Sequence, residues 1–151
     1  MPDPVPERPY FGTTYGIDPS NEGLLPWSWA SEQLGASRNY WIGSTRPDGR
    51  PHAAPVWGVW MDGAVYFSSA RDSRKARNLA KNPQVVVHLE SGDEVVILEG
   101  IVAELRDAAL YAKIASAYNA KYQGIFMAAE MSAGDLVYGV RPLNAYGWLE
   151  Q

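Results

Sequence analysis

The chain has no cysteine and only two histidines, His52 and His88, in 151 residues. The first absence excludes disulfide frameworks, thiolate metal sites, iron–sulfur ligation and cysteine nucleophiles together. The second leaves a zinc site of the usual type with two imidazoles at most, so metal catalysis is not expected. Nowhere do about 18 apolar residues run consecutively, and the opening MPDPVPERPYFGTTYG has no apolar stretch; a cytosolic protein without a membrane span is expected. Positive charge is scarce as well: 13 Lys and Arg stand against 17 Asp and Glu, for a net charge of -4. That balance gives no broad basic face, so no nucleic-acid partner is expected. The sequence also lacks GxGxxG, Walker and GxSxG motifs, which disfavours Rossmann dinucleotide binding, P-loop phosphoryl transfer and a nucleophile elbow.

Five of the 13 basic residues lie in one knot. Arg71, Arg74, Lys75, Arg77 and Lys81 fall within eleven positions, in YFSSARDSRKARNLAKNP. Tyr66 to Ala70 reads as a strand, and Asp72 or Ser73 as the cap of the helix that follows. Taken alone, such a run reads as a solvated helix face. Its position favours an anion site, because Arg74 and Lys75 in a first turn oppose the helix dipole unless an anion sits there. A charge-assisted contact contributes about 1.5 to 3 kcal/mol, against about 8 kcal/mol for micromolar binding. Phosphate contacts would therefore anchor a ligand, and ring stacking or apolar burial would supply the rest.

Residues 1–26 hold six prolines with Gly12, Gly16 and Gly23, a composition that predicts an extended arm. The remainder, 27–151, has the size of one domain. Trp27 to Ala36 fits a short helix with Ser28 as cap and Gly35 as stop. Arg38 to Arg46 alternates as a strand and meets the turn Pro47-Asp48-Gly49. His52 to Met61 is the next strand, and Asp62-Gly63, a strong hairpin signature, returns the chain through Ala64 to Ser69. After the basic helix, Gln84 to Glu90 and Val95 to Leu105 read as strands about a turn at Ser91 to Glu94. Asp107 caps a helix on which Tyr111, Ile114, Ala115, Tyr118 and Tyr122 recur at helical spacing, ending at Gly124. Residues 125–134 are ambiguous. Leu136 to Val140 and Ala145 to Leu149 read as two short closing strands split by Pro142 and Asn144. Short strands and tight turns with one substantial helix predict a mainly β fold, a small antiparallel barrel or sandwich. Such a barrel fills its own interior, so a large ligand must lie outside it or between two subunits.

Other residues have competing readings. HAAPVWGVW, from His52 to Trp60, sets small residues beside two tryptophans; it suits the approach of a flat ring and equally suits barrel packing with Gly58 relieving a crowded spot. His52 follows a turn and reads as a surface residue, and His88, among valines, as a satisfied and partly buried one. Glu99, inside VVILEGIVA, needs a partner, and a structural ion pair is the expected one.

The hairpin STRPDGRPHAAPVWGVWMDGAVYFSS, the motif SRKARNLAKNP and the closing RPLNAYGW together resemble the pyridoxamine 5'-phosphate oxidase-like, flavin-binding split-barrel family. The likeness spans about residues 27–149 and is most similar to the branch that uses the deazaflavin coenzyme F-420 in place of FMN. It implies a six-stranded antiparallel split β-barrel with flanking helices, homodimeric, with the cofactor at the subunit interface. It implies further that Ser73, Arg74 and Lys75 bind the cofactor phosphate, that Ser68, Ser69 and Ala70 line the same pocket, and that Ala54, Pro55, Val56 and Trp57 run along the ring. Asn78 matches the family's helix position, with helix packing as its alternative role. The namesake oxidase has an Arg and a His late in the chain, whereas RPLNAYGWLEQ has no histidine, so pyridoxamine phosphate oxidation is not carried over.

The resemblance thus implies an oxidoreductase passing hydride from reduced F-420 to an unsaturated small molecule. The alternatives are an FMN-dependent oxidoreductase of the same fold, a non-catalytic flavin, F-420 or haem binding protein, and a structural dimer whose aromatic and basic residues only pack. Arg71, Arg77 and Lys81 exceed what one phosphate needs, and would suit the oligoglutamate tail of F-420 or remain solvated.

Overall fold

A computed structural model describes residues 3–4, 6–7, 25–122 and 135–149. The elements in chain order are β1 (Pro6–Glu7), α1 (Trp27–Ala36), β2 (Asn39–Thr45), β3 (Pro51–Met61), β4 (Ala64–Ala70), α2 (Arg74–Lys81), β5 (Gln84–His88), β6 (Glu94–Glu104), α3 (Ala108–Lys121) and β7 (Asp135–Leu149). Six strands run in the order β7-β4-β3-β2-β5-β6, and a β6–β7 pairing closes them into an antiparallel barrel. From the arm, β1 adds a short parallel pairing, Pro6 to Ala145 and Glu7 to Tyr146. The predicted helix end at Gly124 and the ambiguous 125–134 lie outside the described residues.

Alternation builds the wall. β2 is buried at every second residue, placing Tyr40, Ile42 and Ser44 inward. β4 is buried on both faces: Val65 and Phe67 join the barrel core, while Ala64 and Tyr66 pack under α3 with Ile114, Ala115, Tyr118 and Tyr122. The Asp62-Gly63 turn has positive φ at both residues, 51° and 75°, as a two-residue hairpin with the strands' own twist requires. Gly58 is held to glycine by space: a Cβ there would lie 2.8 Å from the Tyr66 carbonyl oxygen and 3.0 Å from the Tyr40 ring. The crowding expected at this position is present.

Helices close the two mouths of the barrel. At one, α1 inserts Ala30 and Leu34, with Tyr40 donating to the Leu34 carbonyl at 2.6 Å and Trp60 to Ser31 Oγ at 3.0 Å. Pro26, not Ser28, occupies the cap position of α1, and Gly35 lies within the helix. The Pro26 ring fixes φ and the residue is extended, φ -66° and ψ 151°, so the helix begins at Trp27 and Ser28 lies inside it rather than at its cap. At the other mouth sits α2.

β7 is one strand of 15 residues rather than two. Pro142 does not break it, because the pairing with β6 shifts between Glu99 and Gly100: Asn144 faces Glu99, Pro142 faces Gly100, and Leu143 is skipped. A bulge is where a sheet tolerates a residue without an N–H.

Candidate functional site

The chain leaves β4 at Ala70 and turns into α2 through a 3.0 Å hydrogen bond from the Ser73 N–H to the Ala70 carbonyl. Ser73 caps the helix, its Oγ accepting from the Ala76 N–H at 3.0 Å. The same Oγ lies 2.6 Å from Ser69 Oγ, tying the cap to the strand end. No acidic residue stands in the first turn of α2, so no carboxylate within that turn opposes the positive end of the helix dipole.

Basic side chains from α2, the β2–β3 hairpin and β3 gather near that point. Arg74 is exposed and Lys75 half-buried at the start of α2. Burial lowers the Lys75 ammonium. Arg46 arrives from the end of β2 and His52 from β3. His52 is lowered first by loss of solvent and then by the charges of Arg46, Lys75 and Arg74. Arg46 Nε and His52 Nδ1 are buried without a hydrogen-bond partner. Asp48, whose carboxyl is lowered mainly by hydrogen bonding to Arg50 and also feels Arg46 and Arg74, is engaged with Arg50 at 2.9 Å on the exposed hairpin tip. The cluster therefore has no buried counter-charge among the described residues.

Behind it, Asn78 is fully buried and donates from Nδ2 to Ser44 Oγ at 3.1 Å, fastening α2 to β2. Its Oδ1 is a third buried polar atom without a partner. Beside the cluster opens a groove of about 730 Å³ along the outer face of β2, β3, β5, β6 and β7. Gly43, His52 and Ala53 line one side, and Glu99, Ile101 and Leu143 the other. Ile101 and Leu143 are 50% and 55% exposed, unusual for large apolar side chains. Glu99 makes no ion pair among the described residues, so the structural partner expected for it is absent there; it lies at the bulge and faces the groove instead.

A second cluster lies further along β3. Trp57 stacks on Tyr122 with ring centroids 4.5 Å apart and an 11° interplanar angle, under the guanidinium of Arg38. Tyr118, on α3, donates to the Trp57 carbonyl at 2.6 Å and also hydrogen-bonds Ser68. Below them, Lys121 donates to the Gly58 carbonyl at 2.6 Å and to the Tyr40 hydroxyl at 3.2 Å. Burial, with Arg38 adding repulsion, lowers this ammonium to about 8.

The residues singled out from sequence separate into groups. Ser69, Ala70, Ser73, Arg74 and Lys75 gather at the α2 cap, whereas Ser68 faces the other side of β4, toward Tyr118. On β3, Val56 points into the barrel core and Ala54 shares its inward face, leaving Pro55 and Trp57 outward. A ligand outside the barrel can meet only the backbone of Ala54 and Val56. Asn78 packs the helix. His88 bonds Leu89 through Nδ1 at 2.8 Å and stacks on Trp41, a satisfied ring as expected. His52 is more than the surface residue expected, and Arg46 and Tyr118 were not singled out as site residues. The signal for Tyr118 was its i, i+4 pairing with Tyr122; the partners of Arg46 and His52 are distant in sequence.

These features define a small closed β-barrel with a cluster of basic side chains at the α2 cap and an open groove on its outer wall. Residues 30–149 match the pyridoxamine 5'-phosphate oxidase family, and the chain belongs to it. No match was found among curated proteins. Among solved structures, the conserved hypothetical protein Rv2991 from Mycobacterium tuberculosis is similar with a TM-score of 0.74 at 20% identity, over 83% of this chain and 85% of that one. An F-420 reductase aligns with a TM-score of 0.60 at 25% identity, over 76% and 94% of the two chains. The heme storage protein HutZ from Vibrio cholerae gives 0.64 at 17%, over 75% and 87%.

Proposed function

We propose that the chain is an oxidoreductase that binds coenzyme F-420 on the outer wall of the barrel and uses it to reduce an unsaturated small molecule. The observation that carries this reading is the uncompensated cluster of Arg46, His52, Arg74 and Lys75 at the capped start of α2. The residues present fit a phosphate-bearing group: the buried Arg46 Nε and His52 Nδ1 lack partners, and an anion would give them one. From Ala53 to Trp57 the outer edge of β3 spans about 13 Å, and its exposed side chains are small until Trp57. That surface suits a planar ring lying along the strand.

Hydride donation is the chemistry reduced F-420 supplies when bound. The protein's own part is binding and placement. Arg74 and Lys75 hold the phosphate, Ser73 and Ser69 fix the turn that presents them, and Trp57 bounds the ring surface. Arg71, Arg77 and Lys81, all exposed, are available to the glutamate tail. A second copy of the chain lying over the groove, against Ile101 and Leu143, would exclude water from the ring. The F-420 reductase among the similar structures supports this cofactor.

Haem or flavin binding without turnover is the second reading, favoured by the similarity to a heme storage protein. The two separate in one assay. Reduced F-420 is incubated with the protein and a panel of enones and quinones, and its reoxidation is followed by absorbance. Protein-dependent turnover of at least one acceptor is expected; tight binding with no turnover across the panel would favour storage.

A further inference from the structure

The cap cluster contains one imidazole, His52, set among Arg46, Arg74 and Lys75. His52 lies opposite Ser44 in the β2–β3 ladder, with Arg46 on the adjoining hairpin and Arg74 and Lys75 on α2 bearing on it. Its ring is half-buried, and its Nδ1 is sealed from water with no acceptor in reach. Three permanent cations around an imidazole hold it neutral, since a fourth positive charge there would be repelled and poorly solvated. The acidic groups around it are Asp48, engaged with Arg50 on the hairpin tip, and Glu99 on β6 across the groove. Neither hydrogen-bonds the ring's Nδ1.

We propose that His52 is the proton-linked ligand of this anion site, so that an anion held by Arg46, Arg74 and Lys75 is bound together with one proton taken up from solvent. The bound anion reverses the local field and gives the unpartnered Nδ1 of the imidazolium something to face. The proton goes to the imidazole, and no bond is made or broken in the anion. The inference rests on the phosphate-clamp reading above and adds its regulation: loading is favoured by acid and weakened as pH rises. Lys75 is lowered by burial and gains from the anion in the same sense. The His52 ring is read by its own signal, so the two are separable.

Sulfate tests this, being a dianion throughout pH 5 to 8, so that any pH dependence in that range belongs to the protein. The ring Cε1–H signals of His52 and His88 are titrated by NMR with and without saturating sulfate, and sulfate affinity is read from the amide shifts of Arg74 and Lys75. Sulfate is expected to raise the His52 midpoint by about one unit or more, with a fall in affinity of about tenfold per unit of midpoint shift as pH rises. His52→Asn, which keeps a donor without the charge, is expected to bind sulfate with a flat profile. Sulfate that binds and leaves the His52 midpoint unchanged would overturn the proton linkage while the clamp stands. No sulfate binding at any pH would overturn the clamp itself and the linkage with it.

Discussion

The phenol of Tyr118, on α3, donates a 2.6 Å hydrogen bond to the backbone carbonyl of Trp57, on β3. It also reaches Ser68 on β4, so one side chain fixes two neighbouring strands from outside the barrel. Tyr118→Phe leaves a half-buried carbonyl with one partner fewer. A loss of about 1 to 2 kcal/mol is expected, measured by urea unfolding.

Lys121 gives stability a distinctive pH profile. Its folded value near 8 is below the ordinary 10.5, so between those values the unfolded chain binds more protons and stability rises with pH. The full contribution is present above 10.5 and is lost as pH falls through 8. For a half-exposed group the gain is about 1 to 2 kcal/mol after solvent screening. Burial raises Tyr40, Tyr118 and Tyr122, which reverses the trend above about pH 10. The urea midpoint is thus expected to climb from pH 8 to 10 and then fall. Lys121→Met is expected to flatten the climb to what Lys75 contributes and keep the fall.

Gly58 offers a purely steric test. A Cβ there meets the Tyr66 carbonyl oxygen at 2.8 Å and the Tyr40 ring at 3.0 Å, and backbone cannot yield cheaply. Gly58→Ala is expected to cost about 1 to 3 kcal/mol, read as a lowered thermal midpoint.

Much of this fold was legible because its signals are local. Asp62-Gly63 announced a hairpin, Ser73 and Asp107 stood where caps are required, and alternation marked β2. Pro142 misled because a proline argues against a central strand unless the neighbour bulges, and the bulge lies in the pairing with Glu99 and Gly100. The cap motif around Ser73 was equally local. Arg46 and His52 reach it only through the β2–β3 hairpin, and Tyr118 only through the packing of α3 on β4. No spacing along the chain encodes those meetings.

Ser73 separates folding from binding. An aspartate caps a helix about as well as serine and suits the dipole, but it sets a negative charge among Arg74, Lys75 and His52. Ser73→Asp is expected to unfold at the wild-type urea midpoint or above it, and to bind FMN or F-420 at least about tenfold more weakly by fluorescence titration.

The central claim is that the α2 cap holds the phosphate of a flavin-type cofactor. Fluorescence titration of the wild type and the Arg74→Ala/Lys75→Ala variant with F-420 and FMN, side by side, tests it most directly. The wild type is expected to bind F-420 more tightly than FMN, and the double variant to lose about a hundredfold or more for whichever binds, from two charge-assisted contacts. Equal affinity in a folded double variant, or no binding of either cofactor by the wild type, would contradict the account.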